Sequence, residues 1–125
     1  MPLPTGLAGS AELKVADADT AVALHSGEVP VLGTPRLVAL AEEATVAAVA
    51  NALAPGETTV GMRIQLDHLS PSPVGSMVTA DASLERVEGR RLVFNVSVRD
   101  ERGLVAAGKI TRVVVDRERF LEKCR

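Results

Sequence analysis

The sequence predicts an α+β domain in which an antiparallel sheet wraps around one long helix. Three observations predict it. A long Ala-rich segment opens at Thr34-Pro35 and stops at Pro55-Gly56. Four strand-like segments follow, the first three with alternating apolar positions, separated by breaks rich in Gly, Pro or charged residues. The chain has 125 residues, 46% of them hydrophobic, enough for one core and hence one domain over residues 1–125.

Residues 1–10 carry Pro2, Pro4, Gly6 and Gly9 and read as a loose N-terminal arm. Residues 11–15 and 20–24 are short strand candidates with Asp17 and Asp19 between them, and residues 25–28 read as loop. The helix begins at Thr34, whose hydroxyl suits an N-cap, and Pro35 suits the first helical position. It should run to about Leu53. Leu37, Leu40, Ala41, Ala44, Ala47 and Ala48 form an apolar face, yet between Leu37 and Leu53 the other faces carry only Glu42 and Glu43 as charges. A helix apolar nearly all round is a buried one, so cover by sheet, or by sheet plus a partner subunit, is expected.

In residues 58–68, Val60, Met62, Ile64 and Leu66 alternate with polar residues, which predicts one buried face. Ser70-Pro71-Ser72-Pro73 breaks the pattern. Val78, Ala80, Ala82 and Leu84 mark the next strand, and Leu92, Phe94, Val96 and Val98 the third. Residues 104–115 form the last, and a short helix is expected after Asp116. The strands are expected to follow one another as a meander.

Composition excludes several classes of function. Phe94 and Phe120 are the only aromatic residues, so a base-stacking surface is absent, and a net charge of -2 offers no field for a phosphate backbone. No nucleic-acid partner is expected. Cys124 is the single cysteine, which rules out an internal disulfide and a cysteine metal cluster, and no metal is expected. The N-terminus lacks the pattern of a signal peptide and no apolar run is long enough to span a bilayer, so a cytoplasmic protein without a membrane partner is expected. No phosphate-binding glycine loop and no Gly-x-Ser-x-Gly elbow occurs.

Three residues carry candidate chemistry. His68 shares the parity of Val60 to Leu66 and lies where the strand runs into the Pro-rich loop, so it is placed to reach a cavity. The alternative is a core histidine bonded to backbone. Glu42 has no cation three or four residues away, so its carboxylate is either solvated at a helix edge or kept for function. The same holds for Glu43, and helical spacing does not separate them. Thr34 is explained by capping, but a hydroxyl at a helix N-terminus also suits an oxygen gaining negative charge. His25 reads as a surface residue. Arg90, Arg91, Arg99, Arg102, Lys109 and Arg112 read mostly as solvated strand residues, some of them able to meet phosphates.

The segment from Val31 to Ala44, with Thr34 at the helix start and Glu42 eight positions on, resembles the helix-start motif of the fluoroacetyl-CoA thioesterase-like family. Thr59 to Gly75, with Gly61 and then His68 seven positions later, resembles that family's strand and loop. Glu88 to Phe94 and Val115 to Phe120 are also similar. The resemblance implies a hot-dog fold, in which a curled antiparallel sheet wraps one central helix. It implies a thioesterase site of Thr34, Glu42 and His68 at a dimer interface, with Gly61, Gly33 and Pro71 near the substrate. It favours Glu42 over Glu43. Coenzyme A would enter only as part of the substrate, with no separate cofactor.

Two departures stand out. The family often has Gly-x-His-x-Arg in its last strand, where this chain has Ile110 at the His position. The fluoroacetyl-specific enzyme has an aromatic lid before the helix, and residues 21–33 contain no aromatic residue. The expectation is therefore a homodimeric, or tetrameric, acyl-CoA thioesterase for a small acyl group, without specificity for fluoroacetyl. The alternative is a noncatalytic hot-dog module that binds acyl-CoA or another small ligand. A hot-dog hydratase or dehydratase matches the motifs less well.

Overall fold

In a computed structural model, which describes residues 3–125, helix α1 (Thr34–Val49) lies across one face of a five-stranded antiparallel sheet. The strands are β1 (Ala8–Lys14), β2 (Glu57–His68), β3 (Met77–Glu88), β4 (Arg91–Asp100) and β5 (Gly103–Asp116). The sheet order is β1-β3-β4-β5-β2. Asp116 caps a short final helix, α2 (Arg117–Glu122), by accepting from the Arg119 N–H.

The core forms where the two periodicities meet. Leu37, Leu40, Ala41, Ala44, Ala48 and Val49 of α1 pack on Val78, Ala80 and Leu84 of β3, Leu92, Phe94 and Val98 of β4, and Ile110 of β5. A Cβ on Gly9 would strike the backbone of Ala44 and Ala48, so a glycine there lets α1 lie directly on β1.

Several expectations need correction. The N-terminal arm is already strand from Ala8, where it pairs with β3; Met1 and Pro2 lie outside the described residues. Residues 20–24 are a turn rather than a strand. The Thr20 hydroxyl donates to Asp17 O and accepts from Ala23 N, and this local bonding outcompetes a ladder. Only Thr20 makes a bridge, to Leu32. The helix ends at Val49, four residues short of Leu53, and its N-cap is Gly33, with no side-chain cap bond. The strands do not form a simple four-strand meander. β2 pairs with β5 rather than β3, because the Pro-containing segment between β2 and β3 crosses over and lets β3 join β1.

The face of α1 away from the core is not covered within the protomer, and Val46 is 46% exposed there. β2 is an edge strand, and its Met62 and Ile64 are 41% and 39% exposed. Within the protomer the sheet thus covers one side of the helix.

Candidate active site

The site grows from two residues at element ends. Thr34 is the first residue of α1 and His68 the last of β2. The Thr34 Oγ1 lies 2.8 Å from His68 Nδ1. Thr34 therefore does not cap its helix; its hydroxyl is engaged by the histidine instead.

Backbone ties hold the two ends together. Leu32 N–H donates to Ser72 O, and Val31 bridges Pro73, so the segment before α1 is stitched to the loop after β2. Leu69 and Ser70 N–H groups both donate to Val105 O. Ser72, fully buried, donates to Asp100 Oδ2 at 2.8 Å, and Arg102 pairs with the same carboxylate at 2.9 Å. Burial opposes ionisation of Asp100. The Arg102 N–H, the Ser72 hydroxyl and the Arg102 guanidinium outweigh it and hold its pKa below the ordinary value.

His68 Nε2 is buried and has no hydrogen-bond partner among the described residues. Desolvation by burial lowers the imidazole pKa, only partly opposed by a backbone bond at Ser70. The ring is thus neutral at pH 7 and keeps a ring nitrogen open. Thr34, His68 and Pro71 line a surface cleft of about 330 Å³. Gly33 is not on its wall. It is buried against Ala21 and Leu24, and its N–H is taken by Asp19 O at 2.9 Å.

Glu42 belongs to a second cluster. It lies eight residues, or about 12 Å, further along the helix than Thr34. Its Oε2 accepts from Arg112 Nη1 at 2.9 Å. Arg112 also donates from Nε to Thr59 Oγ1 and from Nη2 to Thr59 O, each at 2.9 Å. A Cβ on Gly61 would fall 2.5 Å from Glu42 Oε2, so the glycine makes room for the carboxylate. Glu43 is separated from Glu42 here: it points to solvent and pairs with Arg36 at 3.4 Å. Within one protomer, then, Thr34 meets His68 and Glu42 meets Gly61, but the two pairs stay apart.

The inward row of β2 explains the split. Simple parity puts Val60 to His68 on one face. A bulge between Gly61 and Arg63 shifts the register, so Thr59 and Gly61 face inward before it and Ile64, Leu66 and His68 after it. His68 does face inward as expected, but Val60 does not share its face. Arg112 was not expected in a site, yet it is 7% exposed. The sequence held a signal for it. Arg112 shares the parity of Ala106 and Ile110, which are buried in β5, and a lone cation in an inward row needs a partner. Burial lowers its pKa, opposed by Glu42, and it stays cationic. Ile110, at the position where the family often has His, is a core residue. His25 and Cys124 are exposed, and no metal-binding cluster of His, Cys, Asp or Glu is present among the described residues. Among those residues, no helix is long and apolar enough to cross a membrane.

Solved structures similar to this fold include thioesterases. A structure of the fluoroacetyl-CoA thioesterase superposes with a TM-score of 0.92 at 32% identity, over 100% of this chain and 97% of that one. A thioesterase superfamily member from Thermus thermophilus gives 0.91 at 25% identity, over 99% and 92%. A hot-dog-like protein from Thermanaerovibrio acidaminovorans gives 0.88 at 27%, over 98% and 90%. The fold and these relatives define a thioester hydrolase of the hot-dog class. In sequence, the chain is 40% identical over 95 residues to the fluoroacetyl-CoA thioesterase of Streptantibioticus cattleyicolor, spanning 76% of this chain and 68% of the relative. The family model of the fluoroacetyl-CoA-specific thioesterase matches residues 15–118, and the chain belongs to that family.

Proposed function

We propose that this protein is a cytoplasmic acyl-CoA thioesterase for a small acyl group, with each active site completed by a second copy of the chain. The observation that carries the reading is His68, bonded to Thr34 through Nδ1 and open at a buried Nε2 beside a cleft. A related thioesterase was crystallised with fluoroacetate and CoA, which supports an acyl-CoA substrate.

With Nδ1–H donating to Thr34 Oγ1, Nε2 is a neutral base. It takes a proton from water as the water oxygen bonds to the thioester carbonyl carbon. The carbon–sulfur bond then breaks, and His68 returns the proton to the leaving sulfur. The start of α1 faces the carbonyl oxygen as it becomes negative. Pro35 has no N–H and Gly33 has spent its own, so Thr34 supplies the donor there. Glu42 orients the water; an acyl adduct on Glu42, detected by mass spectrometry after rapid quench, would replace this water route with a covalent one.

Glu42 reaches this chemistry from the partner. β2 has an unpaired edge, flanked by exposed Met62, Ile64 and Val46. An antiparallel β2–β2 pairing about a two-fold axis near the middle of the strand would bring the start of one β2 alongside the end of the other, and so the partner subunit's Gly61 and the partner subunit's Glu42 toward His68. Free-thiol release from acyl-CoAs tests the activity, with His68→Ala and Glu42→Ala each expected to abolish turnover. Mixing the two inactive variants tests the shared site. Subunit exchange should restore about one quarter of wild-type turnover, since half the dimers then hold one intact site of two. No restoration from exchanging dimers would put the site within one chain. Tight acyl-CoA binding without thiol release would make the protein a binding module instead.

A further inference from the structure

The cleft beside Thr34 and His68 has a chemistry of its own. Its walls are mostly aliphatic, with Val29 and Val31 from the segment before α1 and Leu69 and Pro71 after β2, and Ser26 and Ser70 add hydroxyls to the lining. Among the described residues of one protomer, His68 is the only ionisable side chain on the wall, and no Phe, Tyr or Trp ring narrows it. Val29 and Leu69 are 57% and 60% exposed, so apolar surface stands open to water at the rim. The volume of about 330 Å³ is far more than an acetyl group needs, roughly ten times the share of one water. The buried, unpartnered Nε2 of His68 lies at the same place, so a group bonded to the reacting carbonyl meets these walls first.

We infer that this cleft is the acyl subsite and that the substrates are thioesters of uncharged aliphatic acids longer than acetate. The inference rests on the thioesterase reading above and deepens it. An aliphatic chain laid on Val29 and Leu69 removes their surface and its own from water. A carboxylate on the acyl group would lose its hydration against these walls, which carry no cation of this protomer. The segment around Val29 is thus the specificity element: side-chain volume there sets how long an acyl chain fits.

The test is kcat/KM for acetyl-, butyryl-, hexanoyl- and succinyl-CoA, on the wild type and on Val29→Phe. The exposure of Val29 makes Phe tolerable for folding, and a melting curve confirms it. For the wild type, kcat/KM should rise about fourfold per methylene from acetyl until the cleft is filled. Succinyl-CoA should fall at least about tenfold below butyryl-CoA. Val29→Phe should reduce the hexanoyl-to-acetyl ratio by about tenfold or more. Acetyl and hexanoyl rates within twofold of each other, or an unchanged ratio in a folded Val29→Phe, would overturn the acyl subsite while leaving the hydrolase intact. Absence of thiol release from every thioester would overturn both.

Discussion

Arg112 is the most exacting test of the structure, since composition gives no reason to think it matters. Consider Arg112→Met, which keeps the length and apolar stem but removes the guanidinium. Two acceptors on Thr59 lose their donor, and Glu42 loses its ion pair. The Thr59 residue is 8% exposed, so its orphaned oxygens have little access to water, at a cost of about 1–3 kcal/mol each. The Glu42 side chain is 34% exposed, so water largely replaces the lost pairing and its share is below about 1 kcal/mol. Relief from burying the guanidinium offsets part of the sum. The net is about 2–4 kcal/mol, against a total stability on the order of 10 kcal/mol for a chain this size. That corresponds to a fall in Tm of about 8–16 °C. Far-UV circular dichroism is the probe, because the chain has no Trp or Tyr. Thr59→Val should reproduce part of the loss, and Glu42→Gln little of it. An Arg112→Met protein melting within about 2 °C of wild type would refute the claim that this cation ties β5, β2 and α1 together.

Three further predictions follow from the same geometry. The acid limb of kcat/KM should have an apparent pKa below 6.5, because burial lowers that of His68. By the same shift, its stability contribution is present above the unfolded value and is lost as pH falls through the folded one; a pH-rate profile breaking above 6.5 would contradict both. Gly61→Ala should displace the Glu42 carboxylate, cutting kcat about tenfold or more, while Tm moves by only a few degrees because the clash is with the end of a flexible side chain. Equal rates for Gly61→Ala and wild type would show that Glu42 need not sit there. Ser72→Ala should cost about 1–3 kcal/mol in urea unfolding, because Asp100, whose side chain is 2% exposed, loses a buried donor. An unchanged urea midpoint would mean that this bond does not hold the loop.

The behaviour of Thr34 shows how local and long-range demands compete. Locally, Thr before Pro is a strong helix start, and the helix does begin there. But the hydroxyl has two possible uses, a cap for its own N–H groups or a bond to a distant histidine. Contacts between Leu32 and Ser72 bring His68 within 2.8 Å, and the distant bond wins. Nothing within helical spacing of Thr34 reveals that outcome. Glu42 and Glu43 behave alike in this respect. Their helical neighbours are equivalent, and only the face each presents, one to Arg112 and one to Arg36 and solvent, distinguishes them.

The sequence by itself determined what depends on neighbours a few residues apart. The α1 start, the alternation in β3 and β4 and the short helix after Asp116 each rest on residues close in the chain, so each was legible. Its motifs also pointed to the thioesterase family and to Thr34, Glu42 and His68 as candidates. Only the tertiary structure decided the sheet order, the bulge that re-aims β2, the burial of Arg112 and the separation of His68 from Glu42 within one protomer. The physical reason is that a period of two survives only until one extra residue enters a strand, and that strand's pairing, not its composition, decides where the bulge falls.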